Sequence, residues 1–197
     1  MAEQSLFHQL EIEAFRAGIT PRSKESIQWF RKKAGRLFPN RSDLLKDEAL
    51  TWRNRPGSGK MYMYFYDPKH KKTLPYYDRF PLIIMVEAAP KGFYGLNLHY
   101  LPLPLRAKFL DALMKNTNNN RYDESTKFKL SYSMLKAASK LKEFKPCFKR
   151  YLSKHVRSKL AMVSPPEWEI ATFLPTADFE KSTSSKIYKE SRKLIRS

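Results

Sequence analysis

Acidic residues are in short supply. Nineteen Asp and Glu stand against thirty-eight Lys and Arg, which leaves a formal charge of +19 on 197 residues and a sequence pI near 10.0. A charge of this size opposes compaction by self-repulsion and is normally kept because a polyanion neutralises it. Cysteine is nearly absent: Cys147 alone excludes an internal disulfide and any multi-cysteine zinc site. No run of about eighteen apolar residues occurs, so no membrane span or membrane partner is expected. The start, Met1-Ala-Glu-Gln-Ser-Leu-Phe-His8, lacks the basic and apolar regions of a signal peptide, and a reducing cytosol or a particle assembled there is the expected compartment. Nor is the chain a disordered polycation, because 42% of its residues are hydrophobic and 14% aromatic, ample for a core.

Catalytic motifs are missing too. Gly57-Ser-Gly59-Lys60 lacks the rest of a phosphate-binding loop: position 54 is Asn, position 61 is Met, and the segment is expected to run from helix into strand. Asp78, Glu87 and Lys91 are the nearest approach to a nuclease set of two carboxylates and a lysine, but the spacing Glu87-Ala-Ala-Pro-Lys91 does not put both residues on one strand face. His8, His70, His99 and His155 are scattered without metal-ligand spacing, and His99 reads as a structural residue. Cys147 reads as a small residue at a helix start. No catalytic residue, metal ligand or cofactor is expected.

What is present divides by pattern into three regions. Residues 1–55 read as a helical arm, with Leu6, Leu10, Ala14 and Ala17 on one stripe, Ile27, Phe30, Ala34 and Leu37 on the next, and Ser42 opening a short third helix. Residues 56–115 change period. Met61–Tyr66, Pro81–Val86 and Phe93–Leu101 read as strands, followed by a helix from Leu103 to Met114. Residues 116–197 read as a basic helical region: two helices between Phe128 and Lys159 broken at Pro146, a candidate returning strand at 160–174, and a last helix over about 177–195. The fold class expected is α+β, a small antiparallel SH3-like β-barrel or sheet flanked by N- and C-terminal helices.

The charge is densest between Lys127 and Lys159, where eleven basic residues face one acid, Glu143. Lys129, Lys136, Lys140, Lys142, Lys145, Lys149, Arg150, Lys154, Arg157 and Lys159 are the candidate phosphate contacts there. On helical spacing Met134, Ala138, Leu141 and Phe144 would face inward, then Phe148, Leu152 and Val156. A solvated helix face is the plainer explanation of such a run, but the acidic partners usual at i,i+4 are missing. A second patch, Lys69, Lys71 and Lys72 with His70, precedes Tyr76 and Tyr77. Those rings either stack on bases and sugars or pack in the sheet. Lys186, Lys189, Arg192, Lys193 and Arg196 make the last helix basic.

Three stretches of the middle carry a resemblance. They are Met61 to Ile84, with Leu74-Pro-Tyr-Tyr-Asp78 and Phe80-Pro-Leu82; Gly92 to Leu101, with Gly95-Leu-Asn-Leu-His-Tyr100; and Leu105-Arg-Ala-Lys-Phe-Leu-Asp-Ala-Leu113. Over about residues 52–114 the chain resembles the DNA end protector proteins of T4-like tailed bacteriophages. The resemblance implies a virion protein of the head and neck, made in the host cytoplasm. It would bind the ends of linear double-stranded DNA without sequence specificity, shield the packaged genome from host exonuclease, and neighbour other virion proteins. It supplies no binding residues; those named above come from charge alone. Two other readings stand beside it: a structural adaptor of the phage neck, tail or baseplate acting through protein contacts, and a head-maturation nuclease.

Overall fold

A computed structural model describes residues 5–37, 41–117, 120–121 and 123–196. Three helices open the chain. In α1 (Leu6–Arg16) the Ser5 hydroxyl accepts from the His8 amide at 3.1 Å and so caps one of the free N–H groups of the first turn. Phe7, Leu10 and Ala14 form its buried face. Gly18, at φ 67, supplies the left-handed residue that ends it. Then come α2 (Lys24–Leu37), which buries Phe30, and α3 (Arg41–Leu44), which buries Leu44.

Six strands follow with alternating side chains: β1 (Thr51–Arg53), β2 (Met61–Met63), β4 (Leu82–Ala89), β5 (Gly92–Asn97), β6 (Phe148–Leu152) and β7 (Leu160–Val163). They pair antiparallel in the order β1-β7-β2-β4-β5-β6. A separate pair joins β3 (Tyr77–Asp78) to β8 (Phe179–Glu180). The remaining helices are α4 (Leu103–Thr117), α5 (Glu124–Ala138), α6 (Trp168–Phe173) and α7 (Ser184–Arg196). The architecture is therefore α+β, seven α-helices among the described residues with a six-stranded antiparallel sheet.

The barrel expected from the sequence does not form. Closure would require β1 to pair with β6, and each of these has one neighbour in the sheet. The apolar faces of the helices need a broad surface to cover, and an open sheet provides it. Met61, Met63, Leu82, Ile84, Val86, Leu96, Ala161 and Val163 turn to the helices and share one core with Phe7, Phe30, Leu110, Trp168 and Ile187.

The intervening residues point to the second face. Tyr62, Tyr64, Tyr66, Ile83, Met85, Phe93, Tyr151 and Leu160 form a smaller aromatic core there. Its rings meet edge to face, as at Tyr64–Tyr151 (5.7 Å) and Tyr66–Tyr151 (4.9 Å), or stacked, as at Phe93–Tyr151 (5.6 Å). Loops cover this face, not helices. A rib made of Phe65–Asp67 and residues 155–158 crosses it. The Asp67 amide donates to the His155 carbonyl at 3.0 Å, and the Arg157 amide to the Phe65 carbonyl at 2.8 Å.

Two stretches of the C-terminal region differ from their sequence pattern. Residues 148–159, expected as helix, form the edge strand β6, a short 3-10 turn at Ser153–His155 and the approach to β7. Pairing with β5 decides this. Gly92 lies so close to β6 that a Cβ there would sit 1.9 Å from the Tyr151 carbonyl oxygen, so only glycine fits. Cys147 accordingly sits buried just before a strand, where burial pushes its thiol up to about 12. The returning strand is present at Leu160–Val163, whereas Trp168–Phe173 is helical.

Candidate nucleic-acid interface

The register of the sheet sets where the cations stand. Arg53 on β1 pairs with Leu160, and Lys149 on β6 lies two residues from Tyr151. Period-two alternation puts both on the loop-covered face with the aromatic core. Five inter-strand spacings of about 4.8 Å separate the two edges, roughly 24 Å in all.

Two clefts open on this face, one on either side of the rib. The first, of about 720 Å³, is lined by Arg53, Asn54, Arg55, Arg157, Ser158 and Lys159 around Phe93, Val156 and Leu160. No carboxylate lines it. The second, of about 380 Å³, is lined by Lys69, His70, Lys149 and Arg150 with Tyr66, Tyr76, Tyr77, Tyr100 and Tyr151, and Asp78 at its floor. Six of these cations (Arg53, Arg55, Lys69, Lys149, Arg150 and Lys159) have no carboxylate partner among the described residues. Arg157 and Lys71 share Asp67, at 3.4 and 2.9 Å, and the Lys71 hydrogen bond holds the Asp67 carboxyl below its usual range.

Lys149 is the least exposed of the six. Its Nζ sits 4.4 Å from the centre of the Tyr100 ring, and burial lowers its pKa. The ring face offers an ammonium partial compensation for lost water. Arg150 turns its guanidinium to the Pro90 carbonyl at 2.9 Å. The basic loop is tied down from behind: Lys181 Nζ donates to the carbonyls of Lys71, Lys72 and Leu74 at 2.5, 3.0 and 3.0 Å. A loop held through its backbone leaves Lys69 and Lys72 exposed, while Lys71 reaches back to Asp67.

The structure thus divides the basic residues that the sequence groups together. Lys149, Arg150, Arg157 and Lys159 meet Lys69 around the two clefts, and Lys71, Lys72 and Lys154 are exposed on the adjoining loop and turn. Lys129, Lys136 and Lys140 lie on α5 and just past its end, a helix that buries Ser131, Leu135 and Ala138 and packs on α4. Lys136 is ion-paired with Glu87 at 3.0 Å and lies over the Tyr132 ring. Lys142 and Lys145 belong to the turn after α5, which packs against α7. Leu141, expected to face inward, is 51% exposed because the helix ends at Ala138. Arg53 and Arg55 are additions. They stand apart from any charge run, and only the β1–β7 pairing brings them to Lys159.

The residues that suggested a nuclease serve the fold. The Asp78 carboxylate is buried and accepts from the Phe80 and Asp178 amides, Asn97 Nδ2 and His99 Nδ1, at 3.0, 3.1, 3.0 and 2.7 Å. Burial works to raise its pKa, but the charge and hydrogen bond of His99, with the other donors, outweigh it and hold the carboxyl low. His99 Nε2 lies within hydrogen-bond distance of the Thr176 hydroxyl at 3.1 Å, and burial lowers its pKa against the pull of Asp78. Glu87 is occupied by Lys136. Residues 57–60 link strand to strand, the Gly59 amide donating to the Met85 carbonyl at 2.8 Å, so no helix follows to hold a phosphate. Among the described residues no cluster of three His, Cys, Asp or Glu is arranged to hold a metal ion, and no helix is long and apolar enough to cross a membrane.

The loop-covered face thus combines cations that lack carboxylate partners among the described residues with a row of aromatic rings. Searches against curated proteins and against solved structures return no match. A family model does match, over residues 4–195: the chain belongs to the family of the phage T4 terminal DNA protecting protein.

Proposed function

We propose that this protein holds the ends of linear double-stranded DNA against the loop-covered face of its sheet and, by occupying them, shields a packaged phage genome from host exonuclease. The family is that of a DNA end-protecting structural protein, not of an enzyme. The observation that carries the choice of face is the set of six carboxylate-free cations around two adjoining clefts. Their span of roughly 24 Å corresponds to about seven base-pair steps at 3.4 Å. Lys and Arg aimed at phosphates position a duplex without reading it, so binding is independent of sequence. The α5 lysines, one of them committed to Glu87, are left out of the interface. The protein's place is in the virion, at the head and neck, among other virion proteins.

Protection is the direct test. A blunt linear duplex saturated with protein should outlast the free duplex against a processive exonuclease, while an endonuclease cutting far from the ends should be unaffected. Equal digestion of free and saturated ends by the exonuclease would sink the proposal.

One observation favours a second role, that of structural adaptor. Phe15 is 85% exposed beside a groove lined by Ala14, Ile19, Pro21 and Phe30 on the N-terminal helices, away from the cationic face. Phe15→Ser should leave DNA affinity unchanged and weaken incorporation into particles. Unchanged incorporation would remove this role from Phe15.

A further inference from the structure

A phosphate-binding face explains attraction to DNA but not preference for its ends. The second cleft supplies the missing element. Its volume of about 380 Å³ lies at the lower end of ligand sites, ~300–1,000 Å³. That is room for one nucleotide and far too little for a duplex. Its walls are tyrosine rings, Tyr76 tilted against Tyr100 at 6.0 Å and Tyr151 beneath, and every base has a face to stack on such rings.

One cation lies inside the cleft, and Lys69 and Arg150 stand exposed at its rim. Lys149 is half-buried over the Tyr100 ring without a carboxylate partner among the described residues, and Lys69 stands on the loop at the mouth. The one acid in the lining, Asp78, has its carboxylate engaged by four donors. Glu190 engages the Tyr76 hydroxyl from α7. An internal phosphodiester carries one negative charge. A terminal phosphate monoester carries about −1.5 to −2 at neutral pH, so a partly desolvated ammonium favours the end over the middle of a strand.

We propose that this cleft is a site for the 5′-phosphorylated terminal nucleotide of the duplex, its base stacked on the half-buried rings of Tyr76 and Tyr77 and its phosphate on Lys149. The proposal rests on the reading that the surrounding face binds DNA. An internal base must be flipped out of a stack closed on both sides, whereas a terminal pair frays at one open side. A nucleotide-sized cleft beside a sequence-blind phosphate path therefore selects ends through the lower cost of unpairing there. Stacking tolerates any base, so selection of ends brings no sequence preference.

Three DNAs of one sequence test this at fixed salt: a linear duplex with 5′-phosphates, the same with 5′-hydroxyls, and a covalently closed dumbbell. The phosphorylated duplex should bind about tenfold more tightly than the hydroxyl form. 2-Aminopurine at the 5′-terminal position should change its fluorescence on binding, and the same probe at mid-duplex should not. Lys149→Gln should bring the phosphate-to-hydroxyl affinity ratio to one, and Tyr76→Leu should remove the terminal fluorescence change. Lys69→Gln, on the exposed loop, should lower the ratio without any demand on folding. Dumbbell binding with equal affinity for both linear forms and a silent terminal probe overturns the cleft assignment and leaves the DNA-binding face standing. Failure to bind any of the three overturns both.

Discussion

Neutralising the second-face cations and measuring the salt slope is the most discriminating perturbation. Six cations without carboxylate partners border the two clefts. If each meets one phosphate, log K against log salt should fall with a slope of about −5, at roughly 0.9 per phosphate, and affinity should drop about 10³-fold between 50 and 200 mM salt. Arg53→Gln, Arg55→Gln and Lys159→Gln together remove three contacts from the larger cleft. The slope should become about −3, and the loss over the same salt range about 40-fold. All three side chains are exposed, so folding should survive.

The control is Lys129→Gln with Lys140→Gln, both exposed and neither ion-paired among the described residues. It lowers the +19 charge by two where the triple variant lowers it by three. A diffuse field would respond in proportion, three parts to two. A defined face responds only to the triple variant, and the control keeps the slope near −5. Fluorescence anisotropy with a blunt labelled duplex gives both slopes. Proportional loss in the two variants, or a greater loss in the control, would refute the assignment of the face.

Three further outcomes follow from the buried polar groups. Arg106 is buried without a carboxylate partner among the described residues and donates to the carbonyls of Leu101, His99 and Thr172 and to the Tyr188 hydroxyl, at 2.7, 3.0, 3.2 and 2.5 Å. Arg106→Met keeps much of the volume but strands those acceptors, each at about 1–3 kcal/mol, and should lower Tm by ~10 °C or more in thermal denaturation. The Tyr64 hydroxyl is buried with no hydrogen-bond partner among the described residues, so Tyr64→Phe should raise Tm by about 2–4 °C, and a fall would show that the hydroxyl has a partner. The folded-state pKa of His99 lies below 6.5 and that of Asp78 below 3.8, so in both windows the unfolded chain binds more protons and stability falls as pH falls. Tm should decline as the pH falls below about 6.5, and His99→Asn should flatten that decline; a slope unchanged in the variant would dismiss the imidazole as its source.

Much of the fold is legible from local pattern. Leu10 and Ala14 of the expected first stripe are buried, with Phe7 in place of Leu6 and Ala17; the aromatic run from Met61 does open as a strand, over Met61–Met63, and the long apolar run of β4 reports its own burial. The misleading stretch is 148–156. Phe148, Leu152 and Val156 recur at helical spacing, yet Lys149 and Tyr151 share a sheet face because β5, some fifty residues earlier, offers a paired edge and a glycine to approach. Non-local pairing overrides a local period. The helix at Trp168 did carry a readable signal. Ser164-Pro-Pro-Glu167 is a capping box with proline at its first positions, the Ser164 hydroxyl donating to Glu167 Oε2 at 2.6 Å, immediately before an apolar run. Lys69, Lys149 and Arg150 were recognisable as basic residues, but their meeting in one cleft was not. Arg53 and Arg55 left no trace in charge density, because two arginines before a turn come to line a cleft with Lys159 only when β1 finds β7.

The scarcity of acid and the location of the cationic face have one physical origin. Many of the carboxylates present are engaged inside the fold. Asp47 accepts from the Leu6 amide, Glu169 from the Arg22 amide, and Asp123 caps α5 through the Thr126 amide. Glu167 closes its capping box, Asp78 anchors the Asn97–His99 turn, and Asp111 is paired with Arg22. These acids satisfy helix N-termini and buried donors, where a negative charge stabilises most. Each one so engaged is unavailable to neutralise the loop-covered face. The helices stand on the opposite side of the sheet and many of the acids stand with them, which leaves the second face carrying cations on its strands, loops and turns. A fold that commits its carboxylates to its own helix ends and buried donors leaves the loop-covered face with few negative charges to oppose its cations.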